Sequence, residues 1–224
     1  MKTFFIHATA EEDIRLTDEA LKHLPQKIGI VTNAQHIAKL PELKKQLPDS
    51  IIAGQVLGCR ADSAQRIAEQ VNAFLFIGGG AFHPLFVAAK TQKPVYCWNP
   101  ADKLLTKISQ QQIDEYTKNR QKQLNIFYAA KNAGVLVTTK QGQSDNKINT
   151  PATSLKMKQP LLFSQRKDKK YYLFACDTLN VDELENFPFI DCWVNTACSR
   201  IADEKNNIVN ADDIIEFEQQ NSYS

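Results

Sequence analysis

The sequence predicts an α/β protein of two similar small lobes, each a parallel sheet flanked by helices, with a cleft between them. Three observations carry this. Short runs of β-branched and aromatic residues alternate with segments of helical spacing along almost the whole chain, the pattern of parallel strands joined by crossover helices. Asn99-Pro100-Ala101-Asp102 punctuates the middle of the chain with turn-forming residues. Finally, the two halves weakly resemble one another: Phe74-Leu75-Phe76-Ile77-Gly78 followed by Pro94-Val95-Tyr96-Cys97 parallels Cys192-Trp193-Val194-Asn195-Thr196 followed by Asn207-Ile208-Val209-Asn210. The expected domains are residues 1–103 and 104–224. A cleft between two such lobes is a usual ligand location.

Taken in order, Thr3 to His7 reads as a first strand, Asp18 to Leu24 as a helix, and Lys27 to Thr32 as a strand rich in β-branched residues. Ala34 to Leu40 has helical character, and Pro41 opens a second short helix. Its Leu40, Leu43 and Leu47 share one face. Ile51 to Leu57 is a third strand, leading into Cys59. Asp62 is the expected N-cap of a helix reaching Ala73. Phe74 to Ile77 is a buried strand, Pro84 to Lys90 a helix, and Pro94 to Trp98 the final strand of the first lobe. A long polar helix from Ser109 to Asn132 follows, with Ile113, Tyr116, Arg120, Leu124 and Phe127 on its inner face. Gly134 is expected to cap it, with strands at Val135 to Thr139, Tyr171 to Ala175, Cys192 to Thr196 and Ile208 to Asn210. Residues 140–160 are less regular, and a terminal helix starts at Ala211.

The bulk composition narrows the class of protein. With 224 residues, 43% hydrophobic and 23% charged, the chain buries a core without disulfide staples. Apolar runs such as Ala73 to Ile77 fall far short of the roughly 18 residues of a membrane span. The opening Met1-Lys2-Thr3-Phe4-Phe5-Ile6-His7 turns polar too soon for a signal peptide. A cytoplasmic, reducing setting is expected, in which cysteines serve as core, catalytic or metal-binding groups. The net charge of +2 conceals an asymmetry: between Lys118 and Lys170 Asp145 and Asp168 are the only acids among twelve Lys and Arg. Phe127, Tyr128 and Phe163 do not interleave with those bases as nucleic-acid stacking platforms would. Solvated lysines, or docking of an acidic protein surface, account for the stretch; neither membrane nor DNA is an expected partner.

Chemistry concentrates in a few residues. Cys59 and Cys198 each follow a predicted strand and precede helical sequence. A residue there faces the crevice at the carboxyl ends of an open α/β sheet. A shared iron or zinc site or a reactive thiol is consistent with that placement. Cys97 and Cys192 fall inside strands and read as core, whereas Cys176 ends a strand beside Asp177 and can reach the same crevice as Cys198. The absence of a Cys-x-x-Cys pair and the scattered His7, His23, His36 and His83 argue against a structural zinc site. Gly78-Gly79-Gly80 after a buried strand lets backbone N–H groups approach an anion, or forms only a tight turn. It lacks the spacing of a dinucleotide or nucleotide-triphosphate loop. His83 beyond it is either a ligand contact or part of a helix cap.

Four segments, in order along the chain, resemble a known family. Gly54-Gln55-Val56-Leu57-Gly58-Cys59 looks like the central cysteine motif of the diphthamide-synthesis family, the iron–sulfur 3-amino-3-carboxypropyl transferases. Phe76-Ile77-Gly78-Gly79-Gly80-Ala81-Phe82-His83-Pro84 resembles its glycine-rich segment, and Lys93-Pro94-Val95-Tyr96 with Asn99-Pro100 its next strand. Asp191-Cys192-Trp193-Val194-Asn195-Thr196-Ala197-Cys198-Ser199-Arg200 is similar to its last cysteine motif, with Ser199 where a proline is usual.

That family has three similar α/β domains, each giving one cysteine to a single 4Fe–4S cluster. S-adenosylmethionine binds the fourth iron, and its cleavage yields the 3-amino-3-carboxypropyl radical that is added to a histidine of elongation factor 2. The resemblance implies a transferase of this kind, with Cys59 and Cys198 as cluster ligands and Gly78, Gly79, Gly80 and His83 lining the S-adenosylmethionine pocket. The match starts at the family's middle domain, so a third ligand is expected from Cys176, a second copy of the chain in a homodimer, or a partner subunit. The alternative expectation is a non-catalytic α/β binding or scaffold subunit that has lost the cluster.

Overall fold

The computed structural model describes residues 8–57, 59–138 and 168–221. The strand expected at Thr3 to His7, the irregular stretch at 140–160 and most of the basic segment lie outside the described residues. The chain is α/β, with two largely parallel sheets flanked by helices, and divides into two compact units, Met1–Tyr116 and Thr117–Ser224.

In the first unit, α1 (Asp18–Lys22) starts at Thr17, whose hydroxyl oxygen accepts the Ala20 N–H at 3.2 Å. Asp18 and Glu19 in its first turn and Lys22 in its last suit the helix dipole. The sheet is built from β1 (Ile28–Thr32), β2 (Ile51–Gln55), β3 (Ala73–Ile77), β4 (Val95–Asn99) and β5 (Leu104–Lys107), in the order β2-β1-β3-β4-β5. The first four strands are parallel, and β5 is antiparallel to β4. The chain therefore winds from β1 outward to β2, then crosses to β3 on the other side of β1. That reversal is a topological switch point, where open α/β sheets leave a crevice at the strand carboxyl ends.

Period-two alternation places each strand's side chains on two faces. Val31, Phe74, Phe76 and Cys97 join one apolar cluster. Ile28, Ile30, Leu75, Ile77 and Trp98 join another, with Leu40 and Leu43 of α2 (Leu40–Gln46). Phe74 and Phe76 are fully buried, each contributing roughly 1.5–3 kcal/mol. α4 (Phe82–Thr91) supplies Phe86, Val87 and Ala88 to the first face.

Two elements differ from the sequence expectation. Asp62 opens the short helix α3 (Asp62–Gln65) rather than capping a long one; a 3-10 turn at Ala68–Gln70 follows, and Ala73 already lies in β3. β5 was not anticipated, because it is short and its Leu104 is exposed. The local chemistry explains it. Asn99 accepts the Ala101 N–H and donates to the Asp102 carboxylate, and Lys103 takes φ 51°, which reverses the chain into a hairpin.

α5 (Gln110–Ala129) begins in a reciprocal cap: Ser109 Oγ accepts the Gln112 N–H at 3.2 Å, and Gln112 Oε1 accepts the Ser109 N–H at 2.9 Å. Its Ile113 and Tyr116 pack on the first unit's core, whereas Leu124 and Phe127 belong to a cluster of the second. The second sheet comprises β6 (Asn132–Thr138), β7 (Lys170–Cys176), β8 (Cys192–Asn195) and β9 (Ile208–Asn210), all parallel, in the order β7-β6-β8-β9. This repeats the order β2-β1-β3-β4 of the first sheet, and with it the switch point. The internal repeat noted in the sequence therefore matches equivalent strands, β3 and β4 against β8 and β9. α6 (Ala211–Asn221) closes the unit, with Ile214 fully buried.

Gly134 does not cap α5; it lies inside β6. A Cβ there would come within 2.4 Å of the Trp193 ring, so the glycine makes room for an indole on the neighbouring strand. The helix end is satisfied instead by Lys169, whose buried ammonium donates to the carbonyls of Tyr128 (2.9 Å) and Ala130 (2.6 Å).

Candidate functional site at the carboxyl ends of the strands

In the first unit the switch point lies between β1 and β3. Thr32 ends β1 fully buried, its hydroxyl donating to the Ile77 carbonyl at 2.8 Å, which ties the two strand ends together. β3 then runs into Gly78-Gly79-Gly80. Gly78 (φ 143°) and Gly80 (φ 78°) adopt left-handed backbone, and a Cβ on Gly79 or Gly80 would meet nothing within 4 Å. This bend is open, and α4 begins two residues beyond it. N–H groups of such a bend and of a helix start suit an anionic group. His83, in the first turn of α4, is half-buried with its ring against Phe76 (6.0 Å, edge-on) and Phe82 (5.5 Å).

Cys59 is reached through a distortion of β2. Val31 pairs with Gly54 although Ile30 pairs with Ile52, so Ala53 is an extra residue, and Gly54 takes φ 97°. A bulge of this kind re-aims the end of a strand. Val56 N–H donates to the Thr32 carbonyl at 2.8 Å. Leu57 and Arg60 then exchange backbone hydrogen bonds of 3.0 and 3.2 Å. Cys59 sits within the turn they close, half-buried. Arg60 reaches Asp62 with Nε at 3.3 Å and Nη2 at 3.2 Å, and Ser63 Oγ donates to the Gln55 carbonyl at 2.8 Å, pinning the turn to α3.

In the second unit the corresponding edge carries Cys176, at the end of β7, and Cys198, three residues beyond β8. Cys176 pairs across from Thr138 of β6. Its thiol lies 3.8 Å from the Val137 carbonyl, and burial, with the nearby Asp177 charge, pushes its pKa up. Cys198 is half-buried and stands just before a 3-10 turn at Ser199–Asp203. Its loop is tied down at successive residues. Thr196 Oγ1 donates to the Leu136 carbonyl (2.7 Å), Asn195 Oδ1 accepts the Ala197 N–H (2.9 Å), and Asn195 Nδ2 donates to the Cys198 carbonyl (2.9 Å).

The cysteines therefore fall into two groups. Cys97 and Cys192 are buried in the two cores, and desolvation pushes both thiols up to about 12. Cys59, Cys176 and Cys198 lie at strand carboxyl ends with part of their surface exposed. Gly78, Gly79, Gly80 and His83 share the first sheet's carboxyl edge with Cys59, whereas Cys176 and Cys198 lie on the second. Among the described residues no three His, Cys, Asp or Glu side chains converge as a metal site. Thiolates are the usual iron–sulfur donors, so the exposed strand-end thiols fit such a cofactor in kind. The sequence reading missed the roles of Asn195 and Asn210; their signal was a polar residue at the end of each of two adjacent buried strands.

Fold and site together define a doubly wound α/β protein that presents thiols and a glycine bend at its strand carboxyl ends. The family model described as "Putative diphthamide synthesis protein" matches residues 1–207. The chain belongs to the diphthamide-synthesis family. It is 31% identical over 213 residues to the 2-(3-amino-3-carboxypropyl)histidine synthase of Methanocaldococcus jannaschii, covering 90% of this chain and 56% of that protein. The enzyme of the same name from Pyrococcus horikoshii is 30% identical, with 88% and 57% covered. The crystal structure of Dph2 from Pyrococcus horikoshii with a 4Fe-4S cluster superposes with a TM-score of 0.72 at 27% identity, over 92% of this chain and 63% of that one. The chain thus spans a little over half the length of these curated relatives.

Proposed function

We propose that this chain acts in 3-amino-3-carboxypropyl transfer to a histidine, as a 2-(3-amino-3-carboxypropyl)histidine synthase or a subunit of one. The observation that carries this reading is the sorting of the cysteines, with Cys59 and Cys198 half-exposed at strand carboxyl ends while Cys97 and Cys192 are withdrawn into the cores. Cys59 and Cys198 would hold a 4Fe–4S cluster, with a third thiolate from Cys176, a second copy or a partner subunit. When bound, the cluster supplies the electron that cleaves S-adenosylmethionine.

The protein's own part is binding and orientation. The Gly78-Gly79-Gly80 bend and the start of α4 would receive the carboxylate of S-adenosylmethionine, and His83 would wall that pocket. The acceptor in this reading is a histidine of elongation factor 2, in the cytoplasm.

Iron and sulfide content after anaerobic reconstitution tests the reading. Wild-type protein is expected to turn brown and retain both elements, Cys59→Ala and Cys198→Ala to lose most of them, and Cys97→Ala to keep them. If Cys176→Ala also keeps them, the third ligand comes from outside the chain. Colourless wild-type protein, also when reconstituted with its partner subunit, would overturn the proposal. The second reading is a non-catalytic α/β binding or scaffold subunit that has lost the cluster. It predicts partner binding that is unchanged in Cys59→Ala and Cys198→Ala.

A further inference from the structure

Two buried asparagines lie beneath the Cys198 loop, and the proposed reaction does not use them directly. Asn195, 2% exposed, ends β8, and Asn210, 6% exposed, ends β9; the two are register partners. Asn195 Nδ2 donates to Asn210 Oδ1 at 2.7 Å as well as to the Cys198 carbonyl. Asn210 Nδ2 in turn donates to the Ser199 carbonyl and to Asp213 Oδ2, each at 3.3 Å. The two successive peptide units that follow the cysteine are thus gripped by one amide pair, and Asn195 Oδ1 also accepts the N–H of Ala197, the residue before it.

The grip continues into α5. Arg120, buried at 9% exposure, places Nε 3.6 Å from Asp213 Oδ2 and Nη2 3.0 Å from Asp203 Oδ1. Gln123 Nε2 donates to the Ala202 carbonyl at 2.5 Å. A helix, a strand pair and both ends of the 3-10 turn therefore converge on one loop that carries a half-buried thiol. Burying so many polar groups is costly unless they are all satisfied, and a loop that only connected β8 to β9 would not require it.

We infer that Asn195 and Asn210 are positioning residues that set the direction of the Cys198 thiol through the carbonyls of Cys198 and Ser199. The inference rests on the proposed role of Cys198, and the test separates the two. Metal-free protein is alkylated with iodoacetamide, and modification of Cys198 is followed against that of Cys59 in the same molecules by peptide mass spectrometry. Asn195→Ala and Asn210→Ala free the loop, so Cys198 is expected to react roughly 3- to 10-fold faster while Cys59 is unchanged. Thr196→Val removes a neighbouring hydrogen bond of the same loop but leaves the amide pair, and is expected to change neither rate. Asn195→Asp, which keeps the acceptor for Ala197 but loses both donations, should behave as Asn195→Ala does and serves if the alanine variant fails to fold.

An unchanged Cys198 rate in the Asn195 and Asn210 variants would overturn the inference, as would an equal rise in Thr196→Val. After reconstitution, the same asparagine variants are expected to hold iron about 10- to 100-fold less tightly against a chelator. If alkylation responds but the wild-type protein holds no iron with or without a partner, the asparagine clamp stands and the cluster reading fails.

Discussion

Gly134 and Trp193 illustrate how much of this molecule turns on single atoms. The indole of Trp193 occupies the space that any Cβ at position 134 would fill, with ring carbons 2.4 and 2.5 Å away. These are rigid ring atoms facing Phe174 at 4.8 Å, so they cannot swing aside. Gly134→Ala is expected to destabilise the second unit by about 1–3 kcal/mol, measured by denaturant unfolding. The buried thiols make a prediction of the opposite kind, in pH. Cys97 and Cys192 are raised from 9.0 to about 12 by desolvation. Above pH 9 the unfolded chain therefore releases protons that the folded chain retains. Their contribution is complete below 9.0 and is lost as pH climbs toward 12, at up to roughly 1.4 kcal/mol per pH unit for each thiol. Cys97→Ala should flatten this alkaline slope in a series of denaturant midpoints, even though its cavity lowers stability at every pH.

Among the elements, the strands were the most legible. β1, β3 and β8 are buried on both faces, and they announce themselves as unbroken apolar runs such as Ala73-Phe74-Leu75-Phe76-Ile77. β5 was not legible, because its residues are exposed and the turn that returns it to the sheet depends on Asn99, Asp102 and Lys103 acting together. The end of α5 was misread for a related reason: a glycine just past a helix reads as a cap, whereas the residue that satisfies this helix lies 40 positions from Ala129, at Lys169. Cys59 and Cys198 stand out in the sequence from their place after strands, but the asparagines that hold the Cys198 loop pair through the register of two successive strands, which spacing alone does not reveal. The cap carries its own prediction. Lys169→Met leaves the carbonyls of Tyr128 and Ala130 without their donor in a site where the lysine side chain is 1% exposed. A loss of about 1–3 kcal/mol is expected, with the C-terminal turns of α5 losing hydrogen-exchange protection first.

At the scale of the whole chain, each unit has its own pair of apolar clusters and one of the two tryptophans, Trp98 in the first and Trp193 in the second. Both are buried, so each reports on its own core. In Trp98→Phe and Trp193→Phe proteins the remaining fluorophore follows one unit at a time. Gly134→Ala is expected to lower the unfolding midpoint seen by Trp193 more than that seen by Trp98; equal shifts would show that the two units melt as one cooperative block. The shared strand order of the two sheets extends to only part of their thiols. Cys59 follows the second strand of its unit, whereas Cys198 follows the third of its own, and Cys176 is the residue that ends the strand equivalent to β2.

For the proposed cluster, the clamp on Cys198 would have a consequence for electron transfer. Its first two members, Asn195 and Asn210, are neutral amides that neither gain nor lose a proton. When a group held by that loop changes its charge by one electron, the dipoles gripping the backbone have no ionisation to adjust and little room to turn. Around the proposed cluster, a frame of that kind would keep the reorganisation energy low, because the geometry suited to one oxidation state would already be the geometry of the other.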